Sequence, residues 1–233
     1  MDYGLSAKLR RLSDNVIRNF PANRVKKRLI LKFTKKMGLV YFGTVDQHKD
    51  EHRVVRGFTI SSSHRDYHYS VGSVDGYDTI LVDRSDVILQ QDKSVTSCDW
   101  LIMTFDLHTK IDVPHLFINS NNHNLSAYSI FFDAFPILAP VTLGTFENYD
   151  PEFTNRFTIY TKPSDFIEVE HLFPARTARV LGAHFWPYSA EVKNGVLYIY
   201  SSDKHITQNT LDTMLEIGIW LAKQIDSQIE SIE

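Results

Sequence analysis

Apolar positions recur along this chain in two periods, and the change from one to the other divides it. In residues 5–20, Leu5, Leu9, Leu12, Val16 and Phe20 return every three or four residues, the spacing of one helix face. Lys8, Arg11 and Arg18 lie off that stripe. Pro21 ends the run, because a helix interior needs the N–H that proline lacks. A second helix is predicted over about 23–36, with Val25, Leu29, Ile30 and Phe33 as its apolar face and Gly38 as its stop.

From Leu39 onward the texture is that of strands. LVYFGTV and RVVRGFTI are rich in β-branched and aromatic residues, and Tyr67, Tyr69 and Val71 alternate with His68 and Ser70. Asp75-Gly76 marks a turn into YDTILV; WLIMTFDL and HLFI read as further strands, and 125–135 as helical or irregular. RFTIY is a strand, and Pro163-Ser164-Asp165 opens a helix to about Leu172 with Ser164 as its N-cap. A short helix is expected over 175–183. Tyr188, Ala190 and Val192 then alternate before Asn194-Gly195, as do Val196, Tyr198 and Tyr200 after it. Asn-Gly supplies the two positive-φ residues of a type I′ turn, so a hairpin is predicted. The last element is a helix over about 209–229, carried by Leu211, Met214, Leu215, Leu221, Ala222, Ile225 and Ile229.

Strands thus come in blocks, with helices at the ends and between blocks. That order predicts an α+β fold: a largely antiparallel sheet with helices packed on one face, a basic helical arm over 1–37 and a long C-terminal helix. Residues 38–233 are expected to form a single domain. With 233 residues, 43% of them hydrophobic, the chain can bury a sizeable core. Cys98 stands alone, so no disulfide can form within the chain, and a buried thiol is its expected state. No apolar run approaches the ~20 residues of a membrane span, and the basic N-terminus lacks the apolar stretch of a secretory signal; a cytoplasmic location is the expectation.

Charge changes the picture more than composition does. Residues 1–37 carry eleven basic and two acidic side chains, a net +9; the remainder carries fourteen basic and twenty-six acidic, a net −12. Arg10, Arg11, Arg18, Arg24, Lys26, Lys27, Arg28, Lys32, Lys35 and Lys36 are the candidate polyanion contacts. Such a segment suits phosphate backbones, where lysine and arginine displace counterions. It also suits an anionic lipid surface, where a basic amphipathic helix lies in the interface. A third reading packs its apolar stripe on the acidic body and leaves the charges in water.

The other candidate chemistry lies in RGFTISSSHRDYHYSVG. On a strand, His64, Asp66 and His68 share one face by alternation, and imidazole with carboxylate on one face suits a divalent metal; Asp106 and His108 are possible further ligands. The competing reading is a solvated polar face. The HRD triplet does not make a kinase catalytic loop, since Val71 stands where that loop needs its magnesium-binding Asn. FDLH and NNH lack the further Asp and His segments of a metallophosphoesterase. No P-loop, G-x-G-x-x-G or G-x-S-x-G pattern occurs.

MGLVYFGTVDQHKDEHRVVRGFTISSSHRDYHYSVG, MTFDLHTKIDVPHLFI, PVTLGTFENYDPEF and LDTMLEIGIWLAKQID together resemble a family of conserved hypothetical proteins from candidate-phyla (Saccharibacteria-like) bacteria. The resemblance spans roughly 37–226. It implies a cytoplasmic bacterial protein and brings no activity, substrate, cofactor or catalytic residue with it. The functional reading is therefore a non-enzymatic binding or interaction protein whose basic arm meets a polyanionic partner, nucleic acid or an anionic membrane surface. The alternative is a metal-dependent hydrolase built on the His/Asp cluster.

Overall fold

The computed structural model describes residues 21–45, 63–89, 95–109, 112–121, 137–141, 149–202 and 206–231. Two Gly-containing turns set its local order. Asp75 and Gly76 take φ of 53° and 89°, and Asn194 and Gly195 take 52° and 71°. The first pair joins β2 (Ser63–Val74) to β3 (Tyr77–Leu89), the second β8 (Ser189–Lys193) to β9 (Val196–Ser201). A two-residue turn of this hand matches strand twist, so each hairpin closes directly across its turn, Val74 against Tyr77 and Lys193 against Val196.

The other strands are β1 (Val40–Val45), β4 (Val95–Asp106), β5 (Leu116–Ser120), β6 (Ala139–Pro140) and β7 (Phe157–Thr161). Among the described residues they form one antiparallel sheet in the order β1-β2-β3-β4-β9-β8-β5-β7-β6. The helices are α1 (Pro21–Met37), α2 (Pro151–Arg156), α3 (Phe166–Leu172), α4 (Ala175–His184) and α5 (Gln208–Glu230).

Strand parity assigns the faces. Leu81, Met103, Phe105, Ile118, Val192 and Ile199 share a single apolar core with Ile30 and Phe33 of α1, Phe153 of α2, Val169 of α3, Leu181 of α4 and Leu211 of α5. All five described helices therefore meet one side of the sheet. The opposite side is buried as well: Ile80, Val82, Ile102, Phe117, Tyr198 and Tyr200 have little exposure.

α1 begins with proline at its first position, where the missing N–H costs nothing. It ends in a Schellman motif: Gly38 sits at φ 74°, Leu39 N–H donates to Thr34 O at 2.9 Å, and Leu39 is buried. Ile30 and Phe33 are fully buried on the sheet, which stabilises the docked helix by roughly 1.5–3 kcal/mol for each side chain. The described half of the basic segment is thus packed on the body. The stretch at 5–20 and the expected structure at 125–135 lie outside the described residues.

α5 starts with Thr207 and Thr210 in a reciprocal capping box. Gly218 lets it approach β4: a Cβ there would stand 1.8 Å from Phe105 Cε2. Leu211 and Ile225 are buried as predicted, while Leu215 is only half-buried. Ser164 does not cap a helix. Pro163–Asp165 is a 3₁₀ turn, α3 starts at Phe166, and the Ser164 hydroxyl donates to Asp165 Oδ1 at 2.5 Å. Ser164 thus lies inside the 3₁₀ turn, and Asp165 takes the N-cap position of α3.

Candidate functional site

The His/Asp segment on β2 departs from regular alternation. Tyr67 pairs with Asp83 and Ser70 with Leu81, so two residues, His68 and Tyr69, oppose one on β3. This is a β-bulge, and His68 takes φ 55° within it. His68 Nδ1 lies 2.8 Å from the hydroxyl of Tyr41, which packs against the helix-side core. Asp66 pairs with Arg84, three residues along β3 from core-facing Leu81, and so faces the opposite side. The expected shared face of Asp66 and His68 is lost, because one inserted residue reverses side-chain direction. The side chain of His64 lies outside the described residues.

Asp66 is engaged elsewhere. Arg84 Nε donates to Asp66 Oδ1 at 2.8 Å and Arg84 Nη2 to Oδ2 at 2.9 Å, a two-pronged pair with both partners buried. A planar guanidinium matched to both carboxylate oxygens compensates their desolvation, and it fills the positions a metal would need.

Asp106 and His108 stand at the far end of β4. Asp66 aligns through Arg84 with Trp100, six residues before Asp106, or ~20 Å along a strand. His108 belongs to a clamp between the β2–β3 turn and α5. Its ring stacks on Tyr77 at 4.4 Å, its backbone N–H donates to Asp226 Oδ1 at 3.1 Å, and its Nε2 lies 3.2 Å from Gly76 O. Tyr77 donates to Asp226 Oδ2 at 2.8 Å; burial, then this carboxylate, push the phenol well above its ordinary value. Among the described residues no three His, Cys, Asp or Glu side chains come together as a metal site.

A different polar group was not anticipated. Glu191 on β8 is 1% exposed, its Oε1 lies 2.7 Å from His115 Nε2, and Tyr200 donates to its Oε2 at 2.5 Å. Phe117 flanks Tyr200 at 6.2 Å. The group resembles an acid–base pair, yet both carboxylate oxygens are occupied, one by the His115 ring and one by the Tyr200 hydroxyl. Its chemistry is that of a satisfied buried charge. A signal was present in the sequence: the Asn194-Gly195 hairpin register sets Glu191 opposite Tyr198, which places a carboxylate among tyrosines on the second face.

The basic candidates fall into two sets. Arg10, Arg11 and Arg18 lie outside the described residues. The seven others all stand on α1, which contains no acidic residue. Lys26 turns inward and donates to Asp83 at 2.6 Å. Burial raises the Asp83 carboxyl above its ordinary value, and the neighbouring Lys26 opposes that rise. Lys36, at the helix end, meets Asp212 of α5 at 3.2 Å in solvent. Arg24, Lys27, Arg28, Lys32 and Lys35 are exposed. Among the described residues, Lys27, Arg28, Lys32 and Lys35 make no ion pair. Lysine and arginine repeated along one outward face make a positive stripe on the described surface.

No protein-family model matches the chain, and no curated protein matches it. Its fold is similar to the crystal structure of the mycobacterial trehalose monomycolate transport factor A, TtfA. The TM-score is 0.54 at 8% sequence identity, over 87% of this chain and 93% of that one. At that identity the likeness shows the fold alone.

Proposed function

We propose that this chain is a non-enzymatic binding protein that engages a polyanion through the outward face of α1. The observation that supports the reading is the split of α1 into two faces. Its inner stripe, Ile30 and Phe33, is buried in the core, while its outer face presents six exposed cations, from Arg24 to Lys36, with no acidic side chain anywhere on the helix. Packing explains the inner stripe. It does not explain why no exposed position carries the opposite sign, since mixed charges would solvate the helix equally well.

The bacterial, cytoplasmic setting implied by the family resemblance is retained as part of this proposal. No described helix is long and apolar enough to cross a membrane. The hydrolase alternative is not carried forward, because Asp66, His68 and His108 are engaged with Arg84, Tyr41 and the Tyr77–Asp226 clamp respectively.

The test is binding of the full chain to nucleic acid and to anionic vesicles across a salt series. Affinity should fall steeply as salt rises from ~50 to ~200 mM, since every neutralised phosphate releases counterions. The variant Lys27→Gln/Arg28→Gln/Lys32→Gln/Lys35→Gln should lose most of that affinity. A full chain indifferent to both polyanions at ~50 mM salt, where screening is weak, sinks the proposal.

A further inference from the structure

Resting on the polyanion reading, we infer that the outward face of α1 docks on the surface of an anionic bilayer, with Val25 and Leu31 entering the boundary between headgroups and acyl chains. The cations alone fit any polyanion. The choice of a lipid surface comes from what lies among them.

Val25 is 58% exposed and Leu31 37% exposed, both on the cationic side of the helix. At 3.6 residues per turn, Arg24, Arg28, Lys32 and Lys35 run down the middle of the outward arc, and Leu31 and Val25 occupy its two shoulders about 120° apart. An aliphatic pair beside a stripe of lysine and arginine matches the layered chemistry of a bilayer surface: phosphate outside, hydrocarbon just beneath. The long stems of lysine and arginine can lie along the same boundary while their charged ends reach phosphate.

A nucleic acid asks for different residues. The outward face has no aromatic ring on which a base could stack, and no Asn or Gln to read a base edge. Against a phosphate backbone Val25 and Leu31 would stay in water and contribute nothing.

The inner stripe also bears on the mode of docking. Ile30, Phe33 and Thr34 are held in the core, and Gly38 closes the helix onto β1. α1 therefore keeps its deep apolar residues in the protein and offers only a shallow apolar contribution. The contact is an electrostatic attachment of a folded body with two aliphatic anchors, and salt should release it.

The experiment compares co-sedimentation of the full chain with phosphatidylserine–phosphatidylcholine vesicles, with pure phosphatidylcholine vesicles, and retention of random duplex DNA and single-stranded RNA. Binding to the anionic vesicles alone is expected. Each Lys or Arg neutralised on the stripe should weaken partitioning about five-fold, equivalent to about 1 kcal/mol per cation near such a surface. The pair Val25→Ser/Leu31→Asn should weaken vesicle binding roughly ten-fold while leaving the circular dichroism spectrum unchanged, because both sites face solvent. A fluorophore on Leu31→Cys, in a Cys98→Ser background, should shift to the blue on anionic vesicles.

Nucleic-acid binding that equals or exceeds vesicle binding, or vesicle binding indifferent to Val25 and Leu31, overturns the bilayer inference and leaves the polyanion reading intact. Absence of binding to every probe overturns both.

Discussion

α1 and α5 pack on the same side of the same sheet, yet they are written differently. α5 buries ten residues along its length and carries both signs of charge, Lys223 against Asp212, Glu216, Asp226 and Glu230. α1 buries a narrow stripe centred on Ile30 and Phe33 and carries seven cations with no acid. The two helices touch, and Lys36 meets Asp212 where they do. Both solve the packing problem; only α1 has a surface whose composition packing does not require. An inner face constrained by the core beside an outer face of one sign is the mark of an element with two tasks.

The largest effects should come from the buried groups that fix the sheet and seat α1. Asp66→Ala leaves the Arg84 guanidinium buried without its carboxylate and should cost about 3–5 kcal/mol in urea unfolding. Replacing both partners with apolar residues, Asp66→Leu/Arg84→Met, should recover most of that loss. A double variant as unstable as the single would mean that the pair holds the fold by more than its mutual charge.

Phe33→Ala should cost a similar ~3–5 kcal/mol by leaving a cavity under α1. This measurement bears directly on the comparison of helices. Were α1 a detachable arm, its truncation would barely move the unfolding midpoint.

On the other helix, Gly218→Ala introduces a Cβ into the ring of Phe105 and should cost about 1–3 kcal/mol. An unchanged melting temperature would show that α5 can stand off from β4.

Asp83 supplies a pH test of the α1 attachment. Its carboxyl is raised above 3.8 in the folded chain by burial, with Lys26 pulling the other way. The folded protein therefore holds this proton more tightly than the unfolded chain does. Its contribution to stability is greatest below 3.8 and is lost as pH rises through the folded value. Asp83→Asn should flatten that part of the stability–pH curve. A curve unaltered by the substitution would remove Asp83 from the account.

The smallest effect on stability belongs to the outward cations. Lys27→Gln, Arg28→Gln, Lys32→Gln and Lys35→Gln should each change unfolding free energy by no more than about 0.5 kcal/mol, because they touch solvent. Made together, the same four changes should remove most of the polyanion binding. Stability and binding thus separate along one helix, and a large stability loss from these variants would erase the distinction between its faces.

Several features of this protein were legible in its residues alone. Asn194-Gly195 and Asp75-Gly76 specify their hairpins because few residues tolerate two successive positive φ angles. The spacing of Leu211, Met214, Leu221 and Ile225 specifies α5, and the apolar stripe ending at Gly38 specifies α1, because a local period acts within a few residues. The charge of α1 was equally plain.

Tertiary structure decided the rest. Alternation predicted one face for Asp66 and His68, but the register against β3 is set by partners more than ten residues away, and a single inserted residue turned His68 towards Tyr41. Glu191 stands on the sheet's second face, and the burial of that face made it a charge that needs His115 and Tyr200. Whether the cations of α1 would be neutralised by the acidic body was likewise outside the reach of sequence. Lys26 lies on the inner arc and found Asp83, while Lys27, Arg28, Lys32 and Lys35 lie on the outer arc. Net charge is a sum over residues, but pairing depends on distance and direction, and the way Ile30 and Phe33 seat the helix on the sheet supplies both.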